Sequence, residues 1–378
     1  MSNTLHQASR EWATRPSDER FIDLPSMLTH FNRIRTLSRG SVVSSRQVKV
    51  APDPNDQIKG LVISGPAGVA YAPTHWAFGQ LATLAQAPAG YIRTLPAPIA
   101  ADCLNFGMQF KRDIEDVGLL LQKGSQPRGG DAGIVSAPAL RAATGPNYGR
   151  VWNSDLIKSL IERFGDGVTG AFRVPGEFGK AVQISNANTT LYASDRDCFV
   201  FLADEEHRIE VPNRRNGKNG SLARGFFVWN SEVGSATLGI MTFLFDYTCC
   251  NRIVWGVEGI KEIRIRHTSS APDRFVDEVA PAIMSYSQGS TKSITDAIEA
   301  ARKARMIGPD LDAFLAKRFT KTIASGIKTA FQIDEDRPIE NLWDVTTGLT
   351  AYARKIDWQD ERVALERQAG DLLTLASN

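Results

Sequence analysis

Three groups of basic residues carry the most visible chemistry in this sequence. Arg264, Arg266 and His267 fall in EIRIRHT (262–268), a short run with the β-branched character of a strand. Strand side chains repeat every two residues, so Arg264 and Arg266 project from one face. The polar, glycine-bearing segment PNRRNGKNGSLARG (212–225) adds Arg214, Arg215, Lys218 and Arg224. A third excess lies near the start, at Arg33, Arg35, Arg39, Arg46 and Lys49. Arginine offers a planar fork of donors that fits phosphate oxygens. Phe226, Phe227, Trp229 and Trp255 interleave with these clusters, and a base stacked on an exposed ring gains about 1–3 kcal/mol. The expected chemistry is single-stranded nucleic-acid binding. Arg264, Arg266, His267, Arg214, Arg215, Lys218 and Arg224 would contact the backbone, and Trp229 or Trp255 would stack. The competing fates are a solvated loop or an internal ion pair for the cations, and core burial for most of the rings.

Other chemistries fail on inspection. SGPAG (64–68) follows a β-run but lacks the Lys-Ser/Thr of a phosphate loop, and FGDGVTGAFRVPGEFGK (164–180) is followed by Ala181 with the wrong glycine spacing. Five histidines occur, without HExxH, and no GxSxG sets a serine on a strained elbow. His75 beside Trp76 reads as packing at a helix start. The four cysteines show no CxxC spacing, which argues against a disulfide framework or structural zinc. Cys249–Cys250 reads as strand filling, with a metal set of Cys198, Cys250 and His267 as the enzymatic alternative. The expectation is a protein that is not an enzyme, with no catalytic residues, metal or cofactor.

The elements that must position these residues follow from periodicity and breakers. A helix is expected over about 19–39, a hairpin over 41–52 and 57–65, and a helix over 75–87 capped by Thr74 and stopped by Pro88. A helix over about 97–113, a hairpin of 116–122 with 131–137, and a helix capped by Asn153 or Ser154 and ending at Gly165 come next. Strands are expected at 180–185, 189–194, 198–203, 225–232, 236–249, 253–257 and 262–268. Helices then fill about 272–286, 291–306, 309–326, 339–354 and 357–375. The predicted fold is α+β: a central twisted, mostly antiparallel sheet flanked by helices, with a C-terminal helical region. Its parts are a flexible arm (1–20), an α+β core (21–270) and a helical region (271–378).

The chain has 378 residues, 44 Lys+Arg against 42 Asp+Glu, and a formal charge of +2. A chain-wide attraction to polyanions is excluded, though a local basic groove is not. No stretch approaches the roughly 20 apolar residues of a membrane span, and the polar start lacks the apolar core of a secretory signal. A cytoplasmic protein is expected.

The segment FFVWNSEVGSATLGIMTFLFDYTCCNRIVWGVEGIKEIRIRHT (226–268) resembles the phage/plasmid-like proteins filed as domain of unknown function 932. The residues that carry it are Asn230 to Gly234, Cys250 with Asn251, and Arg266, His267 and Thr268; SDRDCFVFL and THWAFGQLATLAQAPAGYIRTLP add to it. The resemblance covers about 70–300. It implies the DNA biology of mobile elements, in a bacterial host cell. By outline it also implies kinship with single-strand annealing proteins, which form rings or filaments and need no nucleotide cofactor. Within the motif, Asn230, Ser231 and Gly234 read first as turn formers, with Glu232 solvated or paired with an arginine such as Arg266. The alternative function is a non-enzymatic interaction protein of a mobile element, self-assembling or inhibiting a host defence.

Overall fold

The computed structural model describes residues 16–65, 68–110, 116–124, 137–175, 183–187, 189–214, 217–247, 251–253, 262–356 and 359–377. Helix α1 (Leu24–Leu37) opens where Asp23 accepts the Ser26 N–H at 2.6 Å, with Pro25 in its first turn. Leu24, Met27 and Phe31 recur at helical spacing and are buried. The helix is shorter than expected at both ends, because Arg20–Phe21 (β1) and Ser38–Ser44 (β2) are extended. A tight turn at Ser45–Gln47 then divides the expected first hairpin strand. Its second half, β3 (Val50–Asp53), forms the hairpin with β4 (Asp56–Ser64), whereas β2 pairs with β6 (Asp116–Gln122).

After β5 (Ala70–Pro73), helix α2 (His75–Leu84) carries the expected cap: Thr74 Oγ1 accepts the Ala77 N–H at 3.2 Å. Helices α3 (Ala89–Ile92) and α4 (Ala97–Phe110) follow. The antiparallel partner of β6 is β7 (Ala139–Thr144); most of the strand expected at 131–137 lies outside the described residues. The resulting six-stranded sheet runs β2-β6-β7-β5-β4-β3, antiparallel except for the parallel pair β5–β7. Helices α2 and α4 share its core through Leu81, Leu104, Leu119 and Leu140.

This sheet was not expected to stand apart; the strands read from 189 to 268 form the other, larger one. Helix α5 (Asn153–Phe164) ends as anticipated at Gly165, φ +76°. Neither Asn153 nor Ser154 caps it, because both side chains are buried and bonded elsewhere; Trp152 holds the cap position. Strands β8 (Phe172–Arg173), β9 (Leu191–Ala193), β10 (Cys198–Asp204), β11 (Ile209–Val211), β12 (Gly220–Asn230), β13 (Leu238–Asp246), β14 (Asn251–Ile253) and β15 (Glu262–Ile265) join β1 in a nine-stranded sheet with the path β1-β9-β10-β12-β13-β14. Its strand pairs are antiparallel. The strand expected at 180–185 lies partly outside the described residues, and residues 183–185 are not strand.

Strands β12 and β13 are buried along their whole length. On one face Val200, Leu202, Phe226, Val228 and Ile240 pack with Leu24, Phe31 and Leu156 of α1 and α5. The other face carries Phe199, Phe201, Phe227, Trp229, Phe243 and Phe245.

The chain ends in helices, as expected. A single π-turn (Phe275–Val279) joins α6 (Ala271–Arg274) to α7 (Ala280–Gln288). Then come α8 (Lys292–Lys303), α9 (Pro309–Arg318), α10 (Lys321–Glu335), α11 (Leu342–Ala353) and α12 (Gln359–Ser377). The helix expected at 309–326 is two, because Thr320 caps a new one by accepting the Ile323 N–H at 3.3 Å. Packing crosses residue 270 twice. Phe275 and Ile283 enter the α1–α5 core, while Ile298, Phe331, Trp343 and Leu373 share a core with Leu222 and Leu244 of β12 and β13. The architecture is α+β, with two sheets in place of one.

Candidate nucleic-acid interface

The turn after β12 joins the two sheets. Gly234 (φ +85°) lets the chain reverse, and Ser231 Oγ accepts the N–H groups of Val233 and Ser235 while donating to the Arg196 carbonyl at 2.6 Å. Three successive carbonyls of this turn are claimed by side chains from outside its sheet. Tyr148 Oη donates to Ser231 O at 2.8 Å and Arg150 Nε to Glu232 O at 2.8 Å. Trp76 Nε1 (3.1 Å) and Gln80 Nε2 (2.8 Å) both donate to Val233 O.

Glu232 itself is 1% exposed. Its carboxylate takes Arg141 Nη2 at 2.8 Å and the Asn153 N–H at 2.8 Å, so its partner is a cation of the six-stranded sheet and not Arg266. Asn230 completes the junction by donating to Val151 O (2.8 Å) and Asn153 Oδ1 (2.7 Å). The turn reading of Asn230 to Gly234 therefore holds, with the added role of pinning one sheet to the other.

Along this seam lies a run of alternating rings and cations. Residues 148–152 belong to no helix or strand, and their burial alternates: Tyr148, Arg150 and Trp152 are half-buried, Gly149 and Val151 buried. Tyr148 stacks on His267 at 4.9 Å between centroids. The Arg150 guanidinium stands 5.4 Å from the Tyr148 ring and 5.7 Å from Trp152. Arg35 of α1 lies 5.2 Å from the Trp152 ring and is tied to Ser154 Oγ (3.1 Å) and Asp155 (2.5 Å). The order along the seam is His267, Tyr148, Arg150, Trp152, Arg35. Gly149 makes it possible, because its N–H donates to His267 O and a Cβ there would sit 1.8 Å from Thr268 O.

Burial dominates the titration of the histidines here. Burial, and then Arg150, holds His267 below its ordinary value of 6.5 against the opposing bond from Nδ1 to Gly149 O. Burial, Arg141 and Arg33 lower His30 in the same direction. Unfolded histidine takes a proton near 6.5 while folded His267 resists it, so stability is full above that pH and is lost as pH falls below it. Denaturant unfolding between pH 8 and 5 should show this loss, and His267→Gln should flatten the profile. An unchanged pH slope in that variant would refute the assignment.

The residues singled out from sequence divide sharply. His267 is in the run, and Arg266 beside it is exposed. Arg264 projects on the aromatic face, across β13 from Trp229, with its guanidinium 6.0 Å from that ring. Trp229 is 0% exposed and packs over Gly239, so no base reaches it. Arg214 and Arg224 are corrections too, being 1% and 5% exposed. Arg214 bridges Asp246 (2.9 Å) and Glu335 (2.6 Å), and Arg224 holds Asp204 (2.9 Å) and carbonyls at the end of α7.

Lys218 is exposed but stands before Gly220, the far end of the 11-residue β12. At about 3.3 Å per residue it lies roughly 33 Å from the seam. Arg215, Trp255 and Cys249–Cys250 lie outside the described residues. Tyr148, Arg150 and Trp152 were missed, although their period-two spacing in YGRVWN was a usable signal.

Among the described residues no group of three His, Cys, Asp or Glu is placed to hold a metal, and Cys198 sits in the sheet core. No described helix is long and apolar enough to cross a membrane. The chain matches no family model, no curated protein and no solved structure.

Proposed function

We propose that the protein binds single-stranded DNA along the seam, without a nucleotide cofactor. The observation that carries this is the alternation of His267, Tyr148, Arg150, Trp152 and Arg35. Alternating cations and rings suit a flexible strand, because phosphates take the cations while bases pack on the ring surface that His267, Arg150 and Arg35 leave uncovered, irrespective of sequence. Arg266, exposed beside His267, extends the positive surface. The resemblance of 226–268 to the phage/plasmid-like family supports placing this activity in a mobile element, with strand annealing by a ring or filament of subunits as the reaction.

The test is fluorescence anisotropy with a 3′-labelled oligothymidylate lacking a 5′-phosphate, titrated across salt, with duplex as competitor. Affinity should fall steeply with salt, and Arg35→Ala or Arg150→Ala should reduce the logarithmic slope by about 0.7 for each phosphate no longer neutralised. Trp152→Ala should cost about 1–3 kcal/mol if a base stacks there, whereas Lys218→Ala should change nothing. Lack of binding at low salt would remove the proposal. The second reading, an interaction protein, would then stand on the exposed stripe of Ile99, Phe106 and Phe110 along α4, where the two phenyl rings pair at 4.9 Å.

A further inference from the structure

Helix α2 separates the seam from a second feature. Trp76 and Gln80, four residues apart, reach Val233 on one side. His75 and Phe78 line a cleft of about 330 Å³ on another. The cleft lies between α2, the β3–β4 hairpin, α3 and the start of α4. Its floor is apolar, with Leu61, Phe78, Ile92 and Ala100 no more than 9% exposed. Its exposed lining residues are Lys59, His75 and Arg93.

Arg93 is already fixed in place: the guanidinium stands 4.8 Å from the Phe78 ring centre, and Nη2 donates to the His75 carbonyl at 2.9 Å. A guanidinium held by a ring and a carbonyl loses little freedom when it takes an anion. Asp53, the carboxylate in the described lining, accepts the Asn55 N–H at 2.9 Å within its own turn.

We propose that this cleft binds a nucleoside monophosphate. The phosphate sits against Lys59 and Arg93, and the base and sugar cover the apolar floor. Cations beside an apolar floor select a ligand that has both parts: inorganic phosphate leaves the floor wet, and a nucleoside leaves the cations unmet. Two sources present this chemistry, a free mononucleotide and the 5′-phosphorylated end of a strand. The site stands apart from the seam, on the other side of α2.

Calorimetric titration of the full chain with dTMP, dAMP, thymidine and inorganic phosphate tests the proposal. At least one mononucleotide should bind about tenfold more tightly than thymidine or phosphate. Lys59→Ala and Arg93→Gln should each weaken it about fivefold or more, with binding of the unphosphorylated oligonucleotide intact. Competition by a 5′-phosphorylated oligonucleotide, but not by its unphosphorylated twin, identifies a strand end as the source. Lack of such competition identifies the free mononucleotide. Neither mononucleotide binding at millimolar concentration, or wild-type affinity in the Lys59→Ala/Arg93→Gln double variant, would overturn it. Because the seam is read by the unphosphorylated strand alone, failure of one site is distinguishable from failure of the other.

Discussion

Replacing Glu232 by alanine is expected to cost about 3–5 kcal/mol of folding stability. The loss has two parts. Arg141, with a side chain only 5% exposed, would keep its charge without the carboxylate that faces it, and the buried Asn153 N–H would lose its acceptor. Glu232→Gln retains a carbonyl oxygen for that N–H and should fall between alanine and wild type. Denaturant unfolding followed by tryptophan fluorescence measures both, with Arg266→Ala as an exposed control expected within about 0.5 kcal/mol of wild type. Because Glu232 sits in the turn that anchors Tyr148 and Arg150, any folded Glu232→Ala protein should also bind oligonucleotide more weakly. A loss below about 1 kcal/mol would mean that Arg141 finds water or another partner, and the keystone role would be lost.

Arg214→Ala is expected to have a similar or larger effect at the other end of β12. One guanidinium there faces two carboxylates, Asp246 and Glu335, each 1% exposed, and removing it leaves both without that cation. Lysine should rescue poorly, since a point charge cannot reproduce bonds from Nε and Nη2 together. Neutralising the acids as well, in Arg214→Met/Asp246→Asn/Glu335→Gln, should recover more than half of the loss. If the triple variant were no more stable than Arg214→Ala, lost packing rather than uncompensated charge would be the cause.

Local signals were legible in the sequence, and distant ones were not. Thr74 and Gly165 mark helix ends through chemistry confined to a few residues, and both ends stand where that chemistry put them. The hydrophobic runs of β10, β12 and β13 announce buried strands in the same way. By contrast, β1 pairs with β9 some 170 residues away, a register that no local pattern contains. The loop around Arg214 reads as a basic cluster open to a phosphate backbone because its counter-charge, Glu335, lies 121 residues further on. Charge density drew attention to that loop and away from Tyr148, Arg150 and Trp152, whose signal was alternation rather than concentration.

The core that β12 and β13 share with the terminal helices bears on synthesis. Leu373 fills the same cluster as Leu244 but emerges about 130 residues after it. At the usual pace of a ribosome this is a delay on the order of ten seconds. During that interval the nascent sheet presents Leu222, Leu244 and Ile253 without the helices that cover them, so chaperones have their opening then. A chain halted near Thr268 would keep that surface bare permanently, and its clumping would report missing packing rather than any assembly by the native protein.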